Sequence, residues 1–230
     1  MKFETENKAE NKAENKAENK IENKTENKTE NQLKTLLLIF NESDFLEDSA
    51  IENLFNRFSV IQREGIENLI VYVDILDALD AVNQNNLIRI LSDKILSVSE
   101  KIGLKNSFVI SDYGVLPDFP QSVGFAAYFI PGLGGRNELK CILSDFIEKC
   151  RRGESSPSEM TPEFISSRLL LPFVPDFILS GSKNTLTDFM IWQTAYSEYY
   201  YFGKDLHRLT DSDFRNAFES FKKRGRRYGV

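Results

Sequence analysis

Histidine occurs once in this chain, at His207, tryptophan once, at Trp192, and cysteine twice, at Cys141 and Cys150. A single His beside two Cys, with no ligand spacing among them, excludes a Cys/His metal centre. The two Cys lie nine residues apart on one predicted helix. That separation is about two and a half turns, too long for a local disulfide. They are expected as reduced, buried thiols of a cytoplasmic protein. Apolar runs are short: none approaches the roughly 20 residues that span a bilayer, and no apolar signal region follows Met1. Basic residues are the minority, 29 against 35 acidic, for a net charge of −6. An acidic body without interleaved basic and aromatic residues excludes a nucleic-acid reader.

What the first 32 residues do have is a repeat: TENK, AENK, AENK, AENK, IENK, TENK, TENQ. Residues 1–34 hold eight Lys and eight Glu, so the rest of the chain carries the whole net charge. Every i,i+4 charge pair in the repeat joins like charges, and no apolar face exists to bury. Residues 1–32 are therefore expected to form a disordered tail, with residues 33–230 as a single domain.

Within that domain, Leu36–Phe40 is a wholly apolar run, and Leu69–Val73 is a second. Both fit strands buried on two faces. Ser107–Ile110 and Gly124–Ile130 read as the third and fourth strands, and Phe177–Leu179 as another. Between them lie helical patterns. The first carries Ile51, Leu54, Phe55, Phe58 and Ile61 and ends near Gly65. A second spans Asp77–Ile102 with Leu87, Ile88, Ile90, Leu91, Ile95 and Leu96 inward, and a third spans Arg136–Cys150. Thr161 and Pro162 have the cap and first-turn chemistry of a further helix start. Helices over Leu186–Tyr200 and Asp211–Arg224 close the chain. Strands alternating with helices predict an α/β fold: a single domain with a central, mostly parallel sheet of about six strands flanked by helices.

Three segments carry a resemblance. Gly134-Gly135-Arg136-Asn137-Glu138-Leu139 opens a helix. It reads best as a tight strand-to-helix turn, although a helix N-terminus also suits phosphate. Asp188-Phe189 runs through Trp192-Gln193 to Ala195-Tyr196-Ser197-Glu198, and Arg226-Arg227-Tyr228-Gly229 ends the chain. In this order they resemble motifs of the cis-prenyltransferases (undecaprenyl and dehydrodolichyl diphosphate synthases): Gly-Gly-Arg-x-Glu, Asn-Phe-x-x-Trp-Gln-x-Ala-Tyr-x-Glu and Arg-Arg-Phe-Gly.

Elsewhere the chain departs from that family. Its first strand should end in Asp-Gly-Asn-Gly-Arg, whose Asp helps bind magnesium. Here Asn41-Glu42-Ser43-Asp44-Phe45 follows, and an amide is a poor ligand for a hard cation. The Phe-Ser-x-Glu-Asn-Trp motif after the second strand is replaced by Asp74-Ile75-Leu76-Asp77-Ala78-Leu79. The Arg-x-Gly-Gly-Glu-x-Arg-x-Ser clamp is replaced by Leu179–Thr187, where Lys183 supplies at most a point charge in place of two Arg forks. Asp74, Asp77 and Asp80 suit a helix N-terminus. His207 is read as a loop residue without a chemical role.

The resemblance implies a chain whose anion-holding motifs are degraded while its packing motifs persist. Its expected role is closest to the non-catalytic, Nogo-B-receptor-type subunits of heteromeric cis-prenyltransferases. It would hold no catalytic residue, metal or cofactor of its own. A catalytic cis-prenyltransferase partner, in a heterodimer or heterotetramer, would hold Mg²⁺ and the allylic and isopentenyl diphosphates. Arg227, Tyr228 and Gly229 would reach the substrate diphosphate across the interface, and Trp192 and Glu198 would lie at the interface or near the partner's metal. The product would be a long polyprenyl diphosphate for a dolichol- or undecaprenol-type carrier, made in the cytoplasm with peripheral membrane contact. Two alternatives stand beside this one. One is a divergent homodimeric enzyme using Asp44, Asp74 or Asp77 for metal; the other is a prenyl-chain-binding or regulatory protein that kept the fold.

Overall fold

Side chains alternate between the two faces of a strand, so the unbroken apolar runs Leu36–Phe40 and Leu69–Val73 need cover on both sides. The computed structural model describes residues 32–75, 79–103, 108–110, 125–181 and 187–224, and it supplies that cover. Strand β1 (Thr35–Asn41) lies between β2 (Asn68–Asp74) and β5 (Phe177–Ser180). Strand β4 (Ala126–Pro131) pairs with β2, and β3 (Phe108–Ile110) and β6 (Glu198–Tyr201) form the edges. The order is β3-β4-β2-β1-β5-β6, and every pairing is parallel. The expected α/β architecture with about six strands is what the chain adopts.

One face of the sheet carries Leu36, Leu38, Phe40, Val71, Phe129 and Phe177. It is covered by helices α1 (Asp48–Arg63), α2 (Ala81–Lys101) and α5 (Asp211–Lys222), through Ile51, Phe55, Ile95 and Phe218 among others. The opposite face, with Leu37, Ile39, Ile70, Tyr72 and Ile178, is closed by Leu171, Phe189 and Met190. Tyr72 and Phe189 stack flat there, ring centroids 4.1 Å apart. Helix α3 (Gly135–Arg151) follows β4, and the short α4 (Pro162–Ser166) follows α3. Thr161 caps α4 as expected, its Oγ1 accepting from the Phe164 amide at 3.2 Å.

Compact unit Leu33–Phe221 holds all of these strands. A second unit groups Met1–Gln32 with Lys222–Val230, of which Gln32 and Lys222–Arg224 are described. The repeat tail otherwise lies outside the described residues.

Several expectations are corrected. No α-helix covers residues 187–200, the described part of the expected Leu186–Tyr200 helix. Met190 takes a left-handed backbone conformation, φ 53°, which a right-handed helix does not tolerate. Its carbonyl accepts from the Gln193 and Thr194 amides, closing a tight turn. A 3₁₀ turn (Thr194–Tyr196) then leads into β6, whose Glu-Tyr-Tyr-Tyr sequence suits a strand beside β5. Helix α2 starts at Ala81, where Asp80 accepts from the Asn83 amide at 3.0 Å. Its buried stripe is Leu91, Ile95 and Val98, while Ile90 is 53% exposed and Leu96 also faces outward. A 3.6-residue period brings only one stripe to the sheet, so six apolar residues could not all point inward. The thiols are free as expected but not buried. Cys141 is exposed and Cys150 half-buried, because α3 turns Phe146 inward instead.

Candidate functional site

In an open parallel sheet, ligands bind beyond the carboxyl ends of the strands. Two cavities open there. The first, about 270 Å³, lies beyond β1 and is lined by Asn41, Ser43, Asp44, Glu47, Asp205 and His207. It carries three carboxylates and, among the described lining residues, neither Lys nor Arg. Asp44, three residues past the strand end, is buried. Its Oδ2 accepts from the Asn41 amide at 3.1 Å and its Oδ1 from the Leu206 amide at 2.9 Å. Both oxygens are thus engaged in holding the chain, which argues against the expectation of Asp44 as a metal ligand. Asn41, a neutral amide, is a poorer ligand for a hard cation than a carboxylate. Among the described residues, no group of three His, Cys, Asp or Glu stands ready to hold a metal.

The second cavity, about 260 Å³, lies beyond β2 and β4 and is lined by Asp74, Gln84, Arg136, Asn137, Thr187 and Asp188, among others. Its wall is built by the Gly134-Gly135 turn, which opens the 17-residue helix α3. A Cβ on Gly135 would run into the Asp188 carbonyl oxygen and lie 3.1 Å from the amides of Met190 and Ile191. Glycine here is a close approach of two backbones. The turn is held by Asp188, whose Oδ2 accepts from the Arg136 amide at 3.2 Å and lies 4.0 Å from the Arg136 Nε. The strand-to-helix reading of this motif therefore accounts for Gly135.

Glu138, three positions on, turns its Oε1 to accept from the Leu170 amide at 2.6 Å. Burial pushes its carboxyl above the ordinary value of 4.5, and the Leu170 bond acts in the opposite direction. A carboxyl raised by folding contributes stability that is present below the unfolded value and lost as pH rises through the folded one. Glu138→Gln keeps an oxygen for Leu170 and has no charge to bury. Its melting temperature relative to wild type is expected to climb between pH 4 and pH 7. A difference that stays flat across this range would refute the account of Glu138.

Of the sequence-predicted site residues, Trp192 is 39% exposed, and its Nε1 donates to Ser166 Oγ at 3.0 Å, tying the turn to α4. Glu198 opens the edge strand β6, half-buried, with its amide donating to the Asp176 carbonyl at 3.2 Å. Neither lines the two cavities. Arg227, Tyr228 and Gly229 lie outside the described residues, as do Asp77 and Lys183. Sequence reasoning missed Asp188 as an anchor, because its partner Arg136 lies 52 residues away. No local pattern announces such a pairing.

Residues 124–229 match the family model described as putative undecaprenyl diphosphate synthase. The match begins after β1 and β2, whose ends carry two of the three motif departures; the third, at Leu179–Thr187, falls inside it. An isoprenyl transferase of Thermotoga maritima is 37% identical over 99 residues, 42% of each chain. A tritrans,polycis-undecaprenyl-diphosphate synthase (geranylgeranyl-diphosphate specific) of Methanocaldococcus jannaschii is 34% identical over 101 residues, 42% of this chain and 36% of that protein. The chain thus spans less than half the length of these relatives in the matched region. Among solved structures, lavandulyl diphosphate synthase from Lavandula x intermedia superposes with a TM-score of 0.69 at 17% identity, covering 87% of this chain and 100% of that one. A probable undecaprenyl diphosphate synthase from Campylobacter jejuni gives 0.65 at 20% identity, covering 85% and 98%. These two likenesses establish the fold.

Proposed function

We propose that this chain, which belongs to the cis-prenyltransferase family, is a non-catalytic subunit of a heteromeric cis-prenyltransferase. The observation that carries the proposal is the state of the β1 end. There Asp44 is committed to two backbone amides, Asn41 is neutral, and the cavity is lined by carboxylates without a described cation. A diphosphate carries several negative charges and needs Arg or Lys forks, or a metal, to leave water. The groups described at this strand end supply neither.

The catalytic partner holds Mg²⁺ and the allylic and isopentenyl diphosphates. This chain contributes stability and its closing Arg227-Tyr228-Gly229, in which Arg227 offers a guanidinium fork and Gly229 a backbone amide able to approach phosphate oxygens. Large apolar side chains stand exposed at Ile191, Trp192 and Tyr196, which suits a segment that docks a partner. Among the described residues no helix is long and apolar enough to cross a membrane. The product is a long-chain polyprenyl diphosphate.

Co-expression with catalytic homologues and an assay of isopentenyl incorporation tests the reading. The chain alone is expected to be inactive and the mixed complex active. Arg227→Ala is expected to cost the complex about 100-fold or more in kcat/KM, in the range of losing a preorganised transition-state contact, while the subunits still co-purify. Magnesium-dependent turnover by the purified chain alone would overturn the proposal. Failure both to pair with and to activate any homologue would point instead to a binding protein that kept the fold.

A further inference from the structure

A helix of a globular protein is held mainly by burying its apolar face, because short helices are marginal on their own in water. Helix α3 does not bury its face within its own chain. Leu139, Ile142, Leu143, Phe146, Ile147 and Cys150 fall at helical spacing along one stripe, yet Phe146 is the only one of the six that is buried. Leu139, Ile142 and Cys150 are half-buried, while Leu143 and Ile147 are 41% and 50% exposed. Helix α1 is the contrast, since its stripe is buried throughout.

The α3 stripe adjoins the exposed apolar residues before β6. At the start of α3, Gly135 lies against the amides of Met190 and Ile191. Further along, Phe146 meets Phe164 of α4, ring centroids 4.8 Å apart, and Ser166 of α4 takes the Trp192 Nε1. Helices α3 and α4 and the turn after Met190 thus make one continuous surface.

We propose that this surface, centred on the α3 stripe, is the seat of a catalytic subunit of the same fold, which packs its own counterpart of α3 against this one about a two-fold axis. The proposal rests on the reading of this chain as a subunit of a heteromeric complex, and it locates where the partner docks. Two observations choose that occupant. Helices α3 and α4 and the turn all lie within residues 124–229, the part that matches the family model. A partner from the family therefore presents the same elements, and two-fold interfaces need such self-complementary faces. The rim of the stripe, in turn, does not suit lipid. Helix α3 holds four basic residues and three acidic ones, and Asp145 pairs with Lys149 at 2.8 Å and Glu148 with Arg151 at 3.5 Å. A helix that lies on a membrane surface carries a surplus of Lys and Arg on its polar face. Against a protein partner the stripe becomes the apolar centre and these ion pairs the polar rim.

The test measures binding of the full-length chain to purified catalytic homologues by biolayer interferometry, for wild type, Leu143→Asp, Ile147→Asp and Val82→Asp. Both α3 variants are expected to bind about 30-fold or more weakly, the loss found at an anchoring interface residue, because docking would bury a carboxylate without a partner. Val82, 70% exposed on α2, is the control and is expected to bind like wild type. Leu143→Ser and Ile147→Ser remove the apolar groups without adding a charge, and they are expected to weaken binding in the same direction even if a carboxylate disturbs the helix. All variants are expected to melt like wild type. Wild-type affinity in the α3 variants overturns the proposal and leaves the heteromeric reading standing, whereas a wild-type chain that binds no homologue overturns both. Self-association or vesicle binding that the α3 substitutions abolish, with homologue binding intact, gives the surface to another occupant and overturns the proposal. Unfolding of all four α3 variants overturns it too, since the stripe then serves the chain's own core.

Discussion

Asp44→Ala is expected to destabilise the fold by about 3–6 kcal/mol, at about 1.5–3 kcal/mol for each of two hydrogen bonds to a charged group. In a domain of this size that corresponds to a fall of about 6–24 °C in melting temperature. The carboxylate joins the Asn41 amide at the end of β1 to the Leu206 amide, 162 residues away. Alanine leaves both amides without an acceptor, and Leu206 is buried. Asp44→Asn should be nearly as harmful, because its single oxygen serves one amide while its NH₂ faces the other donor. Thermal melts of the two variants measure this directly. If Asn restored most of the stability, the two-sided role of the carboxylate would be wrong. A metal-ligand role predicts a different pattern, in which the variants melt like wild type in the absence of metal.

The second large effect is at the glycine pair. Gly135→Ala is expected to cost about 3 kcal/mol, the upper part of the range for overpacking. The new Cβ meets backbone atoms of Asp188, Met190 and Ile191 and not a flexible side chain, so nothing nearby can rotate away. The opposing turn is itself fixed, with Met190 in a left-handed conformation and its carbonyl held by two amides. Gly134→Ala is the contrasting case. Its Cβ finds the Asp188 carboxylate oxygens at 3.4 Å, an ordinary contact, and its φ of −76° suits any residue. Its expected cost is below about 1 kcal/mol. Urea melts of the pair separate the readings, because equal losses would mean that conformational freedom, and not close approach, explains both glycines.

The same contrast explains how much of the molecule could be read in advance. Leu36–Phe40 and Leu69–Val73 were legible as buried strands because an unbroken apolar run has few other places to go. The α1 stripe of Ile51, Leu54, Phe55, Phe58 and Ile61 was legible because helical periodicity is local, and all five are buried. Segment Leu186–Tyr200 was misread as helix because its apolar spacing suits one, whereas a left-handed Met190 and pairing to β5 decided otherwise. Strand pairing is a long-range choice that leaves little trace in local propensity.

Chemistry divides along the same line. The absence of a Cys/His metal centre, the neutral Asn41 after β1 and the missing Arg forks were properties of the sequence by itself, because they depend on which side chains exist. Apolar runs alternating with helical patterns likewise determined the α/β class. What the remaining carboxylates do was decided by tertiary structure alone. Asp44, Glu138 and Asp188 each accept from backbone amides brought to them from 162, 32 and 52 residues away; that of Leu206 is buried, and a buried amide must find an acceptor wherever folding puts it.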